Sequence, residues 1–151
     1  MASILIADDD EIVAELASEV LINAGHACGW VTDGEKVLDL LKWRRPDLLL
    51  LDQDMPGMTG SNVLRKLRGS KQFYDLPIIM FTAVTGATDE EAARFHGAQD
   101  YIRKPFDPKF LVWRVNGVLR ARSERSHRDL MEEMERASGQ WVEAAEPRRT
   151  V

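Results

Sequence analysis

The sequence predicts an α/β fold: a doubly wound, five-stranded parallel sheet in the order 2-1-3-4-5, with a C-terminal helical extension. Three observations lead there. Short apolar runs alternate with stretches of helical spacing, the βαβα rhythm that makes strands parallel. Leu48-Leu49-Leu50-Leu51 is apolar at every position and is closed off by Met55-Pro56-Gly57, as expected of a central strand covered on both faces. Four of the runs end in polar residues, namely Asp8-Asp9-Asp10, Asp52, Thr82 and Lys104. Parallel strands point their carboxyl ends to one edge, where open sheets of this kind bind ligands, so these residues should converge.

The elements follow in order. Strand one is Ser3 to Ala7. Helix one starts near Asp10, an N-cap, carries Ile12, Val13, Leu16, Val20 and Leu21 at helical spacing, and stops at Ala24-Gly25. Strand two is roughly Ala27 to Val31. Thr32-Asp33-Gly34 turns into helix two, with Val37, Leu38 and Leu41, which ends before Arg45-Pro46. Strand three, Leu48 to Leu51, gives way to the loop Met55 to Gly60. Helix three carries Val63, Leu64 and Leu67 and ends near Gly69. Strand four runs Pro77 to Thr82, helix four about Asp89 to His96, and strand five Tyr101 to Arg103. Helix five opens at Asp107-Pro108, with proline in the favoured first turn. With right-handed crossovers this is the flavodoxin-like arrangement.

The domain is expected to occupy residues 1–122, and residues 123–151 to be a helical tail or linker with a disordered end. Beyond Arg122 the composition turns polar, with Leu130, Met131 and Met134 as a short apolar stripe and Gly139 as a helix stop. The tail reads equally as a helical extension, a self-association arm, or a linker to a further domain.

Composition narrows the function classes. A chain of 151 residues with net charge −5 gives no sign of nucleic-acid or membrane affinity. No window approaches ~18 uninterrupted apolar residues. Cys28 is the only cysteine, which fits a reducing cytoplasm and reads as a bystander thiol. His26, His96 and His127 are scattered and read as solvated side chains rather than ligands, and Met55, Met58 and Met80 as packing.

Asp8, Asp9 and Asp52 at one edge would repel each other unless a cation intervenes. All-oxygen ligands suit hydrated Mg²⁺, and no histidine or cysteine in these loops invites zinc or copper. Asp52 then has one oxygen for metal and one free to attack phosphorus. Lys104 can neutralise a phosphoryl group, and the Thr82 hydroxyl can donate to it. Taken singly, each residue has an ordinary explanation: a helix cap for Asp8-Asp9-Asp10, a strand end for Thr82, a surface lysine for Lys104. Jointly they do not.

The set Asp8-Asp9, Asp52-Gln53-Asp54-Met55-Pro56-Gly57-Met58-Thr59-Gly60, Thr82-Ala83 and Lys104-Pro105-Phe106 resembles the receiver domain of bacterial two-component response regulators, over roughly residues 3 to 121. The resemblance implies that Asp52 is the phosphoacceptor, loaded by a sensor histidine kinase or a phosphotransfer protein. It implies Mg²⁺ held by Asp9, Asp52 and the backbone carbonyl of Asp54, with Asp8 acting largely through water. Thr82 and Lys104 would grip the phosphoryl oxygens, the Lys104-Pro105 bond would be cis, and Tyr101 with Thr82 would form the switch that alters the face of helix four, strand five and helix five for an unknown downstream protein. Such a protein is a self-phosphorylating signalling switch rather than an enzyme, with slow autodephosphorylation. Asp54 and Val84, flanking the site, bear on the water that hydrolyses the phosphoryl group, with no predictable sign.

Trp113 stands apart. Leu111, Val115, Val118 and Leu119 share one arc of helix five, which points Trp113 away from the core. Partial cover by Phe110 and neighbouring arginines is the plain reading; an interface, including a homodimer, is the favoured one. Two further readings compete with the switch. Asp52-Gln53-Asp54 resembles the first motif of haloacid-dehalogenase-type phosphatases, although that motif normally opens the domain. A phosphorylation-independent binding module would have no need of all five landmarks. Direct DNA binding is disfavoured because the tail has no room for a helix-turn-helix unit. The run Arg120-Ala121-Arg122 resembles linkers to output domains, so the chain also reads as the receiver fragment of a longer regulator.

Overall fold

A computed structural model describes residues 1–83 and 97–149, with side chains through Ser138. Five parallel strands, β1 (Ser3–Ala7), β2 (Ala27–Val31), β3 (Leu48–Leu51), β4 (Ile78–Thr82) and β5 (Asp100–Arg103), form one sheet in the order β2-β1-β3-β4-β5. The helices are α1 (Glu11–Asn23), α2 (Gly34–Leu41), α3 (Gly60–Arg68) and α4 (Pro108–Arg149), the last being the expected fifth helix. The expected fourth helix, with His96 and Val84, lies outside the described residues. The chain divides into two compact units, Met1–Leu119 and Arg120–Val151. Among the described residues no helix is long and apolar enough to cross a membrane.

The period-2 alternation of strand side chains sorts the core into two layers. Leu5, Ala7, Leu49, Leu51, Ile78 and Met80 face α2 and α3, where Val37, Leu41, Val63, Leu64 and Leu67 meet them. Ile4, Ile6, Leu48, Leu50, Ile79 and Phe81 face the other way, against Ala14, Ala17 and Leu21 of α1 and Leu111 and Val115 of α4. Every residue of β3 and β4 is buried, as expected of inner strands covered on both faces. Strand four begins at Ile78 rather than Pro77, because proline has no N–H to enter the ladder; its carbonyl still accepts from Leu49 N at 2.9 Å.

Three expectations need correction. The buried face of α1 is Ala14, Ala17, Ser18 and Leu21, whereas Ile12 and Leu16 are 72 % and 50 % exposed. Small residues let this helix sit close to the sheet: Ala14, Ala17 and Ser18 hold i, i+3 and i+4, and Leu21 takes i+7. Secondly, α4 runs through Gly139 to Arg149. A single helical glycine costs only about 1 kcal/mol relative to alanine and is no obligatory stop. Thirdly, His26 is not simply solvated. Its Nδ1 accepts from Ala2 N at 3.1 Å and its Nε2 lies 2.8 Å from Asn116 Oδ1, which ties the chain start to α4. His127 is exposed, and Met55 and Met80 are buried with Met58 packed beside them.

Candidate phosphoacceptor site

Adjacent strand tips are laced together by backbone hydrogen bonds just past the ladder. Asp52 N donates to Ala7 O at 2.9 Å, and Lys104 N donates to Thr82 O at 3.0 Å. The parallel register therefore sets the tips of β1, β3, β4 and β5 side by side. The expected convergence is present: Asp8, Asp52 and Thr82 are all buried there, with Asp9 exposed at the rim. One carboxylate oxygen from each of Asp8, Asp9 and Asp52 lies within 4.8 Å of the other two. Lys104 Nζ is 2.5 Å from Asp8 Oδ2 and 3.5 Å from Asp52 Oδ2, and it stands 5.2 Å above the Phe81 ring. The Lys104–Pro105 bond is cis, as expected.

Burial pushes the Asp52 carboxyl up to about 6. The Lys104 charge opposes that rise, Asp8 adds to it, and hydrogen bonds from Thr82 and the Gln53 backbone oppose it. Gln53 N donates to Asp52 Oδ1 at 2.8 Å, fixing one oxygen. Burial thus disfavours the charged form that would serve as nucleophile and ligand, a penalty that a divalent cation would relieve. Three carboxylates with no nitrogen or sulfur donor make a set that fits a hard, hydrated ion such as Mg²⁺.

The loop after β3 is shaped by close approach. A Cβ on Gly60 would lie 2.1 Å from Asp52 O, so only glycine lets α3 start against the end of β3. Gln53 Oε1 accepts from both Ser61 N and Ser61 Oγ, at 2.8 and 2.6 Å, which pins the loop to the start of α3. Neither Gln53 nor Ser61 stood out in the sequence; the only signal was a polar residue between two acids. Asp54 is exposed in this loop. Arg68 was missed too. Its guanidinium donates to Gly97 O and Gln99 Oε1 at 2.9 Å and to Phe73 O and Tyr74 O, fastening α3 to the segment that enters β5.

Tyr101, on β5, is half-buried against the layer that contains Met80. Trp113 points away from the core as expected, 64 % exposed, while Leu111 and Val115 are fully covered. The Phe110 and Trp113 rings lie 6.0 Å apart, the Arg114 guanidinium covers both, and Arg114 pairs with Asp100.

Comparison with known proteins agrees with this architecture. Residues 4–116 match the family described as the response regulator receiver domain. The chain is 44 % identical over 117 residues to the DNA-binding response regulator MtrA of Mycobacterium leprae, covering 78 % of this chain and 51 % of that protein. It is 39 % identical over 119 residues to the phosphate regulon transcriptional regulatory protein PhoB of Pseudomonas aeruginosa, covering 78 % and 52 %. The chain thus spans about half the length of these relatives. The chemotaxis response regulator CheY4 of Vibrio cholerae superposes with a TM-score of 0.73 at 30 % identity, over 78 % of this chain and 98 % of that one. The receiver domain of Francisella response regulator 1452 does so with 0.74 at 28 %, over 80 % and 98 %. The dehalogenase-type phosphatase reading finds no support among these relatives. From residue 4 to residue 116, in fold and in sequence alike, this chain belongs to the response regulator receiver domain family.

Proposed function

We propose that this protein is a phosphoaccepting switch in which Asp52 takes a phosphoryl group from a sensor histidine kinase or a phosphotransfer protein. The observation that carries the reading is the Lys104 ammonium, half-buried and set between the two buried carboxylates of Asp8 and Asp52 at the common strand edge. A free Asp52 oxygen attacks phosphorus, the bond from phosphorus to the donor nitrogen breaks with its electron pair left on the donor, and an acyl phosphate forms on Asp52. Lys104 turns from Asp8 to the transferred oxygens, and the Thr82 hydroxyl donates to them. Asp8, Asp9 and Asp52, with the Asp54 carbonyl, would hold Mg²⁺; when bound it supplies charge neutralisation for a reaction that is mostly positioning. Asp8 supports the ion largely through water.

The phosphoryl group adds about −1.5 to −2 charges. Thr82 and Lys104 respond to it, and Tyr101 follows Thr82 inward, so the conformer with an altered β5 and α4 face becomes the populated one. A downstream protein reads that face at Trp113. The state decays slowly as water attacks phosphorus, with Asp54 beside the path, and the switch operates in the reducing cytoplasm. Incubation with acetyl phosphate and Mg²⁺ should add one phosphoryl group per chain, chelation should prevent it, and Asp52→Asn should abolish it. Undiminished labelling of that variant would refute the assignment.

A further inference from the structure

From Arg120 to Ser138, α4 is exposed at every position except the half-buried Arg122, and Leu130, Met131 and Met134 keep between 42 % and 54 % of their surface in solvent. At about 100° per residue, Ser123, Ser126, His127, Leu130, Met131, Met134, Ala137 and Ser138 fall on one arc of about 140° that holds no acid. Every acidic side chain of the segment, and every arginine but Arg120, falls on the opposite arc. A solitary solvated helix explains the charged arc, whose opposite charges recur at i, i+4. It does not explain a continuous neutral stripe with three large apolar residues on it.

The charges also divide along the helix. Residues 120–128 hold four arginines and one glutamate, net +3; residues 129–136 hold four acids and one arginine, net −3. Two copies lying parallel and in register would set like against like over the whole length. Two copies lying antiparallel, with the two-fold axis between Arg128 and Asp129, set the basic half of each alongside the acidic half of the other, with Arg122 level with Glu135 and Arg128 level with Asp129. The same axis brings Met134 to Ser123, Met131 to Ser126 and Leu130 to His127 of the second copy. Each large apolar side chain then meets a smaller or flat neutral one, the large-to-small fit that a helix pair needs.

We infer that the helical segment 120–138 is a self-association element that pairs antiparallel with the same segment of a second copy. The inference is independent of the phosphoryl chemistry. Sedimentation of the full chain should show a monomer–dimer equilibrium, and Leu130→Glu combined with Met134→Glu should leave only monomer. A wild-type chain that stays monomeric at all concentrations, or a double variant that still dimerises, would overturn it. Orientation is read from cysteines in a Cys28→Ser background, which removes the native thiol. Under mild oxidation Ser123→Cys and Met134→Cys should fail to crosslink separately and should crosslink when mixed. Self-crosslinking of Ser123→Cys would mean a parallel pair and would overturn the antiparallel assignment without relying on the stability of the double variant.

Discussion

The ammonium of Lys104 lies 2.5 Å from Oδ2 of Asp8, a carboxylate with no exposed surface, although 96 residues separate the two in sequence. The same ammonium is 3.5 Å from Asp52 Oδ2. One cation thus serves two buried anions, and it is also the group best placed to meet an incoming phosphoryl oxygen.

Lys104→Met should therefore do two things. Breaking a buried pair by removing one partner costs about 3 kcal/mol, readable by chemical denaturation in EDTA. Phosphorylation by acetyl phosphate should slow by roughly 10- to 100-fold, the scale of one lost charge-stabilising group. A variant with wild-type stability and rate would mean that the pair is incidental.

Asp52 should make stability fall as pH rises. Its carboxyl is raised by burial to about 6, against an ordinary value of 3.8. Between those values the folded protein keeps a proton that the unfolded chain has lost, so protonation favours the fold at the low end and the benefit is gone above about 6. Without metal, Asp52→Asn should be more stable than wild type by about 2 kcal/mol at pH 7.5, and the gain should shrink as pH falls toward 3.8. Thermal melts across that window decide it. A pH-independent difference would show that Asp52 is not buried as a strained acid.

Gly60→Ala should disturb the site without touching its chemistry. The new methyl would sit 2.1 Å from Asp52 O, a backbone atom that cannot rotate away. Overpacking of this kind costs about 2 kcal/mol, and the displaced strand tip should slow phosphorylation as well. Unchanged kinetics would place α3 farther from the acceptor than the structure does.

Two neighbours on α4 should differ sharply. Leu111→Ala empties a fully buried position and should cost about 3 kcal/mol. Trp113→Ala removes a largely exposed ring and should cost under about 1 kcal/mol, its loss being felt in binding a downstream protein instead. Equal losses on denaturation would mean that Trp113 is a packing residue.

The strands were legible because each apolar run is short, alternates with helical spacing and ends in a polar residue; β1, β2 and β3 begin and end where the sequence places them. The convergence of Asp8, Asp9, Asp52, Thr82 and Lys104 followed from parallel topology alone. The pairing of Lys104 with Asp8 did not, because topology delivers residues to an edge without choosing contacts. The α1 face was misread because large apolar residues draw attention, and at this helix two alanines and a serine share the buried face with Leu21, while Ile12 and Leu16 stay outside it. Gln53, Arg68 and His26 stayed hidden for a different reason. Their partners, Ser61, Gly97 and Asn116, lie 8, 29 and 90 residues away, and hydrogen-bonding side chains carry no periodicity to betray them.

The most direct test is chemical. Borohydride reduces an acyl phosphate on a carboxylate and leaves a stable mark where it stood. After acetyl phosphate, Mg²⁺ and borohydride, peptide mass spectrometry should find the reduced side chain at position 52 and nowhere else. A mark at Asp8, Asp9 or Asp54, or none at all in a protein that had taken up phosphate, would contradict Asp52 as the acceptor.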